Sequence, residues 1–135
     1  GEFPPSSWGN EHEITQKQME EIFQRVCNHF LPIACVRIHR GTSKETLPKF
    51  PDSFFDWVYL DGLHYYKPVF EDLEFCRSKI KLGGLISGDD YLLRGDGSPD
   101  GMDFPVRRAV QDFVRKYGLE SRLETRHKQY VIRLH

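Results

Sequence analysis

The sequence has no apolar run approaching the roughly 18 residues that a membrane span requires, and no succession of charged, apolar and small residues marks a secretory signal. The expectation is a soluble, cytoplasmic protein without a membrane partner. It also lacks charge of one sign: 19 Lys and Arg stand against 20 Asp and Glu, a net charge of -1. No basic field is available to grip nucleic acid or an anionic lipid surface, so neither is expected as a partner. Cysteine is scarce and odd in number. Cys27, Cys35 and Cys76 are widely spaced, form no CxxC pair and have no histidine at zinc-ligand spacing, which excludes a disulfide framework and a zinc ribbon. Reduced, mostly buried thiols are expected. Repeats and low-complexity tracts are absent as well.

What is present suits one domain. A chain of 135 residues and 15.9 kDa can bury about 68% of its unfolded surface, enough to fold without a disulfide or a structural metal. Residues 1–12 read as an expression remnant, Gly1-Glu2-Phe3, followed by an extended lead-in rich in Pro, Ser and Gly with Trp8 as its anchor. The domain itself is expected over residues 13–135.

Within it, helical and strand patterns alternate. Thr15 with Gln18 has capping-box spacing, and Met19, Ile22, Phe23, Val26 and Phe30 form a helical stripe that Pro32 ends. Ala34, Val36 and Ile38 alternate with Cys35, Arg37 and His39, which predicts a strand over 34–39. Thr42 with Glu45 opens a helix over 43–50, and residues 54–60 carry the strongest strand signal, apolar on both faces except for Asp56. Pro68 begins a helix with the stripe Val69, Leu73, Cys76 and Ile80, closed by Gly83-Gly84. A short strand over 85–87, a helix capped by Asp103 and started by Pro105, and a hairpin from 120–127 and 129–134 complete the chain. This order predicts an α/β fold: three layers, a mostly parallel sheet of three parallel strands, and an antiparallel hairpin at the C-terminal end.

In such sheets ligands gather beyond the carboxyl ends of the strands. Three polar groups follow the apolar runs: His39 to Ser43, Asp61 to His64, and Gly88-Asp89-Asp90. If the second and third strands are neighbours, about 4.8 Å apart, their terminal carboxylates converge on one hard cation such as magnesium. A divalent ion there would lower the pKa of a coordinated hydroxyl, with His64 close enough in sequence to accept its proton. Asp-Gly and Gly-Asp-Asp are equally ordinary turn formers, so the residues alone leave both readings open. Arg94-Gly95-Asp96 spells an adhesion tripeptide and is read as coincidence.

Several spaced motifs then agree in order. The run Phe55 to Tyr66, Asp72-Leu73, Leu82-Gly83-Gly84 through Asp89-Asp90-Tyr91, and Val106-Arg107-Arg108-Ala109-Val110 resembles the class I S-adenosylmethionine-dependent methyltransferases. The resemblance is to the branch that includes metal-dependent sugar O-methyltransferases, and it runs from about Trp8 to the C-terminus. It implies a Rossmann-like methyltransferase fold whose third to fifth strands and final hairpin are represented. It implies a magnesium or manganese site at Asp61, Asp89 and Asp90, with His64 as the catalytic base. Gly41, Thr42, Ser43 and Asp61 would border S-adenosylmethionine, and the acceptor would be a small hydroxylated molecule. The family's first strand with its GxGxG loop, and the acid that holds the ribose, have no counterpart in these 135 residues. The expectation is therefore a truncated domain that is active only if completed by a preceding half or a partner. Negligible cofactor binding and a homodimer burying the uncovered sheet are expected to follow. The alternative is a non-catalytic remnant serving as a small-molecule, metal-binding or assembly module. The truncation also predicts that the 34–39 strand pairs directly with the 54–60 strand.

Overall fold

The computed structural model describes residues 15–94 and 103–134. The lead-in over residues 1–12, with Trp8, and Gly95 and Asp96 lie outside the described residues. The chain divides into two compact units, Gly1–Arg40 and Gly41–His135.

In the first unit, helix α1 spans Gln16–Phe30. Thr15 opens it with the expected capping box: its hydroxyl accepts from the Gln18 N–H at 3.2 Å, and its own N–H donates to Gln18 Oε1 at 2.7 Å. The apolar stripe is there, yet no residue of α1 is buried. Residues 34–39 do not form the expected strand. The Val36 N–H donates to the Ile33 carbonyl at 2.9 Å, and the Arg37 guanidinium donates to the carbonyls of Ala34 and Val36 at 2.8 and 2.9 Å. These local bonds occupy groups that a ladder would use. Arg40 ties back to α1 through an ion pair with Glu20 at 2.8 Å and a guanidinium 4.4 Å from the Phe23 ring centre.

The second unit holds α2 (Ser43–Thr46), β1 (Phe55–Leu60), α3 (Tyr66–Lys79), β2 (Ile80–Gly88), α4 (Pro105–Lys116), β3 (Leu123–Arg126) and β4 (Gln129–Arg133). The helix expected over 43–50 stops at Thr46 and tightens into a 3₁₀ turn over Leu47–Lys49. Pro48 is the cause, having no N–H for an α-helical bond and disfavouring helix in the residue before it. At the start of α4 the cap position is taken by Phe104, at φ +55°, rather than by Asp103.

The four strands form one sheet in the order β1-β2-β4-β3. β1 and β2 are parallel, and β4 runs antiparallel to both β2 and β3. The α/β class and the terminal hairpin are as expected. Three parallel strands are reduced to two because 34–39 makes no ladder, so the expected pairing with β1 does not form and β1 is an edge strand of this sheet. β2 is longer than the expected 85–87. Gly83 and Gly84 lie within it instead of ending the preceding helix: Phe55 pairs with Ile80 and Trp57 with Leu85, so the intervening residues of β2 bulge. A Cβ at Gly84 would lie 2.6 Å from the Asp56 carbonyl oxygen, so only glycine fits that approach.

The core lies between one sheet face and the two long helices. Ile86, Tyr130 and Ile132 meet Leu73 and Cys76 of α3 and Val110 and Phe113 of α4, with Val58 and Leu60 packed against them. Each such fully buried aliphatic or aromatic side chain contributes roughly 1.5–3 kcal/mol. Trp57 and Tyr59 alternate to the other face and remain 59% and 42% exposed. Trp57 Nε1 donates to Ser87 Oγ at 2.6 Å, and Gln129 Nε2 donates to the Tyr59 hydroxyl at 2.9 Å.

Candidate functional site

Because β1 and β2 are parallel with Leu60 opposite Gly88, the residues that leave the two strands emerge side by side. The Asp89 N–H still donates to the Leu60 carbonyl at 3.3 Å. Asp90 then turns into the left-handed region at φ +59°, a conformation that Asp tolerates better than most residues. His64 comes from the segment between β1 and α3. Its Nε2 lies 2.8 Å from Asp90 Oδ2 and 3.9 Å from Asp61 Oδ1. One donor atom from each of Asp61, His64 and Asp90 falls within 4.8 Å of the other two.

Asp89 is placed differently. Its Oδ1 accepts the Asp90 N–H at 2.9 Å, so it braces the turn that carries Asp90. Of the three carboxylates named for metal, the structure brings Asp61 and Asp90 together with His64 and sets Asp89 beside them. Two octahedral ligands on a small divalent ion at about 2.1 Å lie about 3–4 Å apart. Oxygens of Asp61 and Asp90 lie within 4.8 Å of each other, close to that range, and Asp61 is exposed and free to adjust. Two carboxylates with a histidine beside them therefore suit magnesium or manganese.

A cavity of about 20 Å³ opens beneath these residues, with Asp61, His64, Asp72, Asp89 and Tyr130 in its wall. It has room for about one water. Asp72 and Tyr130 were not singled out as site residues from the sequence. For Asp72 a signal existed: with Val69, Leu73 and Cys76 it falls on the inward stripe of α3, where a carboxylate is out of place. Burial raises its pKa above the ordinary aspartate value, the nearby charge of Glu71 adds to that, and a hydrogen bond from the Ser43 side chain opposes it. Tyr130 is 1% exposed, and burial raises its pKa, with the charges of Cys76, Asp72 and Tyr59 acting in the same direction. Its hydroxyl stacks so closely over Gly88 that a Cβ there would lie 2.5 Å from it.

Gly41, Thr42 and Ser43 form the head of α2. Gly41 has φ +147°. Thr42 is occupied in capping: its hydroxyl accepts from the Glu45 N–H at 3.3 Å, and its N–H donates to Glu45 Oε2 at 2.9 Å. Ser43 is not among the residues that line the cavity.

The sequence matches the family model described as a methyltransferase domain over residues 7–91. The chain belongs to that family. In three dimensions it matches the structure of the O-methyltransferase NovP with a TM-score of 0.60 at 23% identity, covering 90% of this chain and 45% of that one. The fold is therefore the Rossmann-like fold of methyltransferases, and the chain spans about half the length of that enzyme. No match was found among curated proteins. No described helix is long and apolar enough to cross a membrane.

Proposed function

We propose that this domain serves metal-dependent O-methyl transfer from S-adenosylmethionine to a small hydroxylated molecule, with its reacting residues at the exits of β1 and β2. The observation that carries this reading is the meeting of Asp61, His64 and Asp90 in a chain of the methyltransferase-domain family. Asp61 and Asp90 would hold magnesium or manganese, and Asp89 would keep the Asp90 turn in place. A divalent ion held there supplies Lewis acidity to an acceptor hydroxyl. His64 takes the hydroxyl proton at Nε2, where Asp90 Oδ2, 2.8 Å away, shares it. S-adenosylmethionine, when bound, would supply the sulfonium methyl, whose transfer to the deprotonated oxygen would form the C–O bond, break the C–S bond and release S-adenosylhomocysteine.

Gly41, Thr42 and Ser43 would border the adenine side of the cofactor, and Asp61 its methyl end. The glycine-rich loop has no counterpart in the 135 residues. Each backbone hydrogen bond it would have given is worth roughly 0.5–1.5 kcal/mol, so this chain alone should hold S-adenosylmethionine only at millimolar concentration or weaker, at 1.4 kcal/mol per tenfold. Methyl transfer would then require a further segment or partner. A second reading, a non-catalytic binding or assembly module, is favoured by the exposed Trp57 and Tyr59 and the open edge of β1. In that reading a second copy covers the face.

Titrating manganese and then S-adenosylmethionine into the chain tests the first reading. Manganese binding that Asp61→Asn abolishes, with cofactor binding only at millimolar concentration, supports it. Micromolar cofactor binding that ignores the metal and Asp61 would overturn it.

A further inference from the structure

Trp57 and Tyr59 belong to β1 but not to the methyl-transfer chemistry, and their backbone faces outward. Three other carbonyls of β1 turn toward β2. Leu60 accepts the Asp89 N–H at 3.3 Å, Val58 accepts the Ser87 hydroxyl at 3.4 Å, and the Asp56 oxygen lies 2.6 Å from where a Cβ on Gly84 would stand. Successive residues of a strand alternate in direction, so Trp57 and Tyr59 aim their N–H and C=O groups away from β2. Since β1 ends the sheet, those groups form its open edge.

Little in the strand blunts that edge. Phe55–Leu60 holds no proline and no lysine, and its single charge, Asp56, is tied to the Lys81 ammonium of β2 at 2.9 and 3.0 Å. The Trp57 and Tyr59 rings meet edge to face on the open side of the sheet, 6.2 Å between centres. Their polar atoms are engaged within the sheet, Trp57 Nε1 with Ser87 and the Tyr59 hydroxyl with Gln129, so the ring surface they leave exposed is apolar.

We infer that β1 is a dimerisation strand, pairing antiparallel with β1 of a second copy about a two-fold axis at Val58. The inference deepens the assembly reading given above and rests on it. A strand whose edge-facing residues are two aromatics flanking a valine is complementary to itself when reversed. Centring on Val58 sets Trp57 opposite Tyr59 of the second copy, twice over, and each such pair exchanges two backbone hydrogen bonds. The same register lays aromatic against aromatic across the seam. It also sets Asp56 opposite Leu60 of the second copy, which keeps the two Asp56 carboxylates about 14 Å apart along the strands, beyond a Debye length. With Trp57 and Tyr59 59% and 42% exposed, the four rings offer on the order of 450 Å² to bury, which suits a weak, reversible contact.

Amide hydrogen exchange of the full 135-residue chain at about 5 and about 500 μM, with the mass followed by light scattering, reads the edge without any ligand. The Trp57 and Tyr59 N–H groups should exchange freely at the lower concentration and at least threefold more slowly at the higher, where roughly a quarter of the chains stay unpaired for a dissociation constant of about 100 μM. Val58 and Leu60, whose backbone groups face β2, should be protected equally at both. A dimer by mass whose Trp57 and Tyr59 amides exchange alike at both concentrations would overturn the edge pairing and leave the assembly reading to the sheet face alone. A monomer at 500 μM would overturn both. Protection of these two amides in a monomer at 5 μM would mean that the edge is not open, and would overturn the inference as well.

Discussion

His64 Nε2 lies 2.8 Å from Oδ2 of Asp90, a contact between the segment that leaves β1 and the turn that leaves β2. The parallel pairing of the two strands makes it possible, since it sends both chains out of the sheet at the same end. A His–Asp contact of this kind, beside an exposed Asp61, gives one place for a cation and one for a proton.

Gly88 and Tyr130 set the height of that turn. A Cβ at position 88 would meet the Tyr130 hydroxyl, its Cζ at 2.6 Å and the Leu60 carbonyl oxygen at 2.7 Å. Gly88→Ala should lower stability by about 2 kcal/mol or more, read as the midpoint of urea unfolding. Tyr130→Phe in the same chain should recover only part of it, because two of the three clashes remain. An alanine variant with the wild-type midpoint would mean that the strand ends are looser than described.

The Cys76 thiol is pushed up to about 12, by burial first and by the charge of Asp72 second. At pH 8 about one molecule in ten thousand carries the reactive thiolate. In a thiol titration with a disulfide reagent, exposed Cys35 should react readily, and Cys76 only as fast as the chain unfolds. Cys76→Ala should remove the denaturant-dependent thiol and no other. Rapid modification of Cys76 in the native protein would contradict its place in the core.

Asp72 makes stability depend on pH. Its pKa is raised in the folded state, chiefly by burial, so the folded chain binds that proton more tightly than the unfolded one. The associated stability is fully present below the unfolded value, near pH 3.9, and is lost as pH rises through the folded value. Asp72→Asn should therefore raise the melting temperature at pH 7 by about 2–5 °C, and the gain should vanish below about pH 4. Thermal melts of the two proteins from pH 3 to 8 check it. A variant less stable than wild type at pH 7 and equal to it at pH 3 would reverse the sign.

The exposed pair Trp57 and Tyr59 on the open face of the sheet underlies the proposed homodimer. Light scattering should give twice the chain mass at about 100 μM, a concentration at which a contact of about 5–6 kcal/mol or more is populated. Trp57→Ser with Tyr59→Ser should restore the monomer. A wild-type monomer at that concentration would remove the assembly reading.

Much of this was legible in the sequence because it is local. Thr15 with Gln18 and Thr42 with Glu45 form the capping boxes that their spacing announces, and Val69, Leu73 and Cys76 are buried as their stripe requires. The segment 34–39 misled because alternation describes one strand and says nothing about a partner; its bonds are local instead. Gly83 and Gly84 resembled a helix stop, but Gly84 is required by close approach to the Asp56 carbonyl, a contact between strands far apart in sequence. At the site, Asp61, His64 and Asp90 could be named because they follow apolar runs. The difference between Asp89 and Asp90 depends on the φ of +59° at Asp90, which no pattern records. Tyr130 reaches the cavity wall only through the antiparallel register that sets it opposite Gly88.

The measurement closest to the central claim is manganese binding by the wild-type chain, Asp90→Asn and Asp89→Asn, followed by calorimetry at pH 7. If Asp61 and Asp90 hold the cation beside His64, the wild type binds, Asp90→Asn binds at least tenfold more weakly, a difference of about 1.4 kcal/mol, and Asp89→Asn stays much closer to wild type. Equal affinity in all three proteins, or no binding by the wild type, would contradict the account and leave these carboxylates as turn residues.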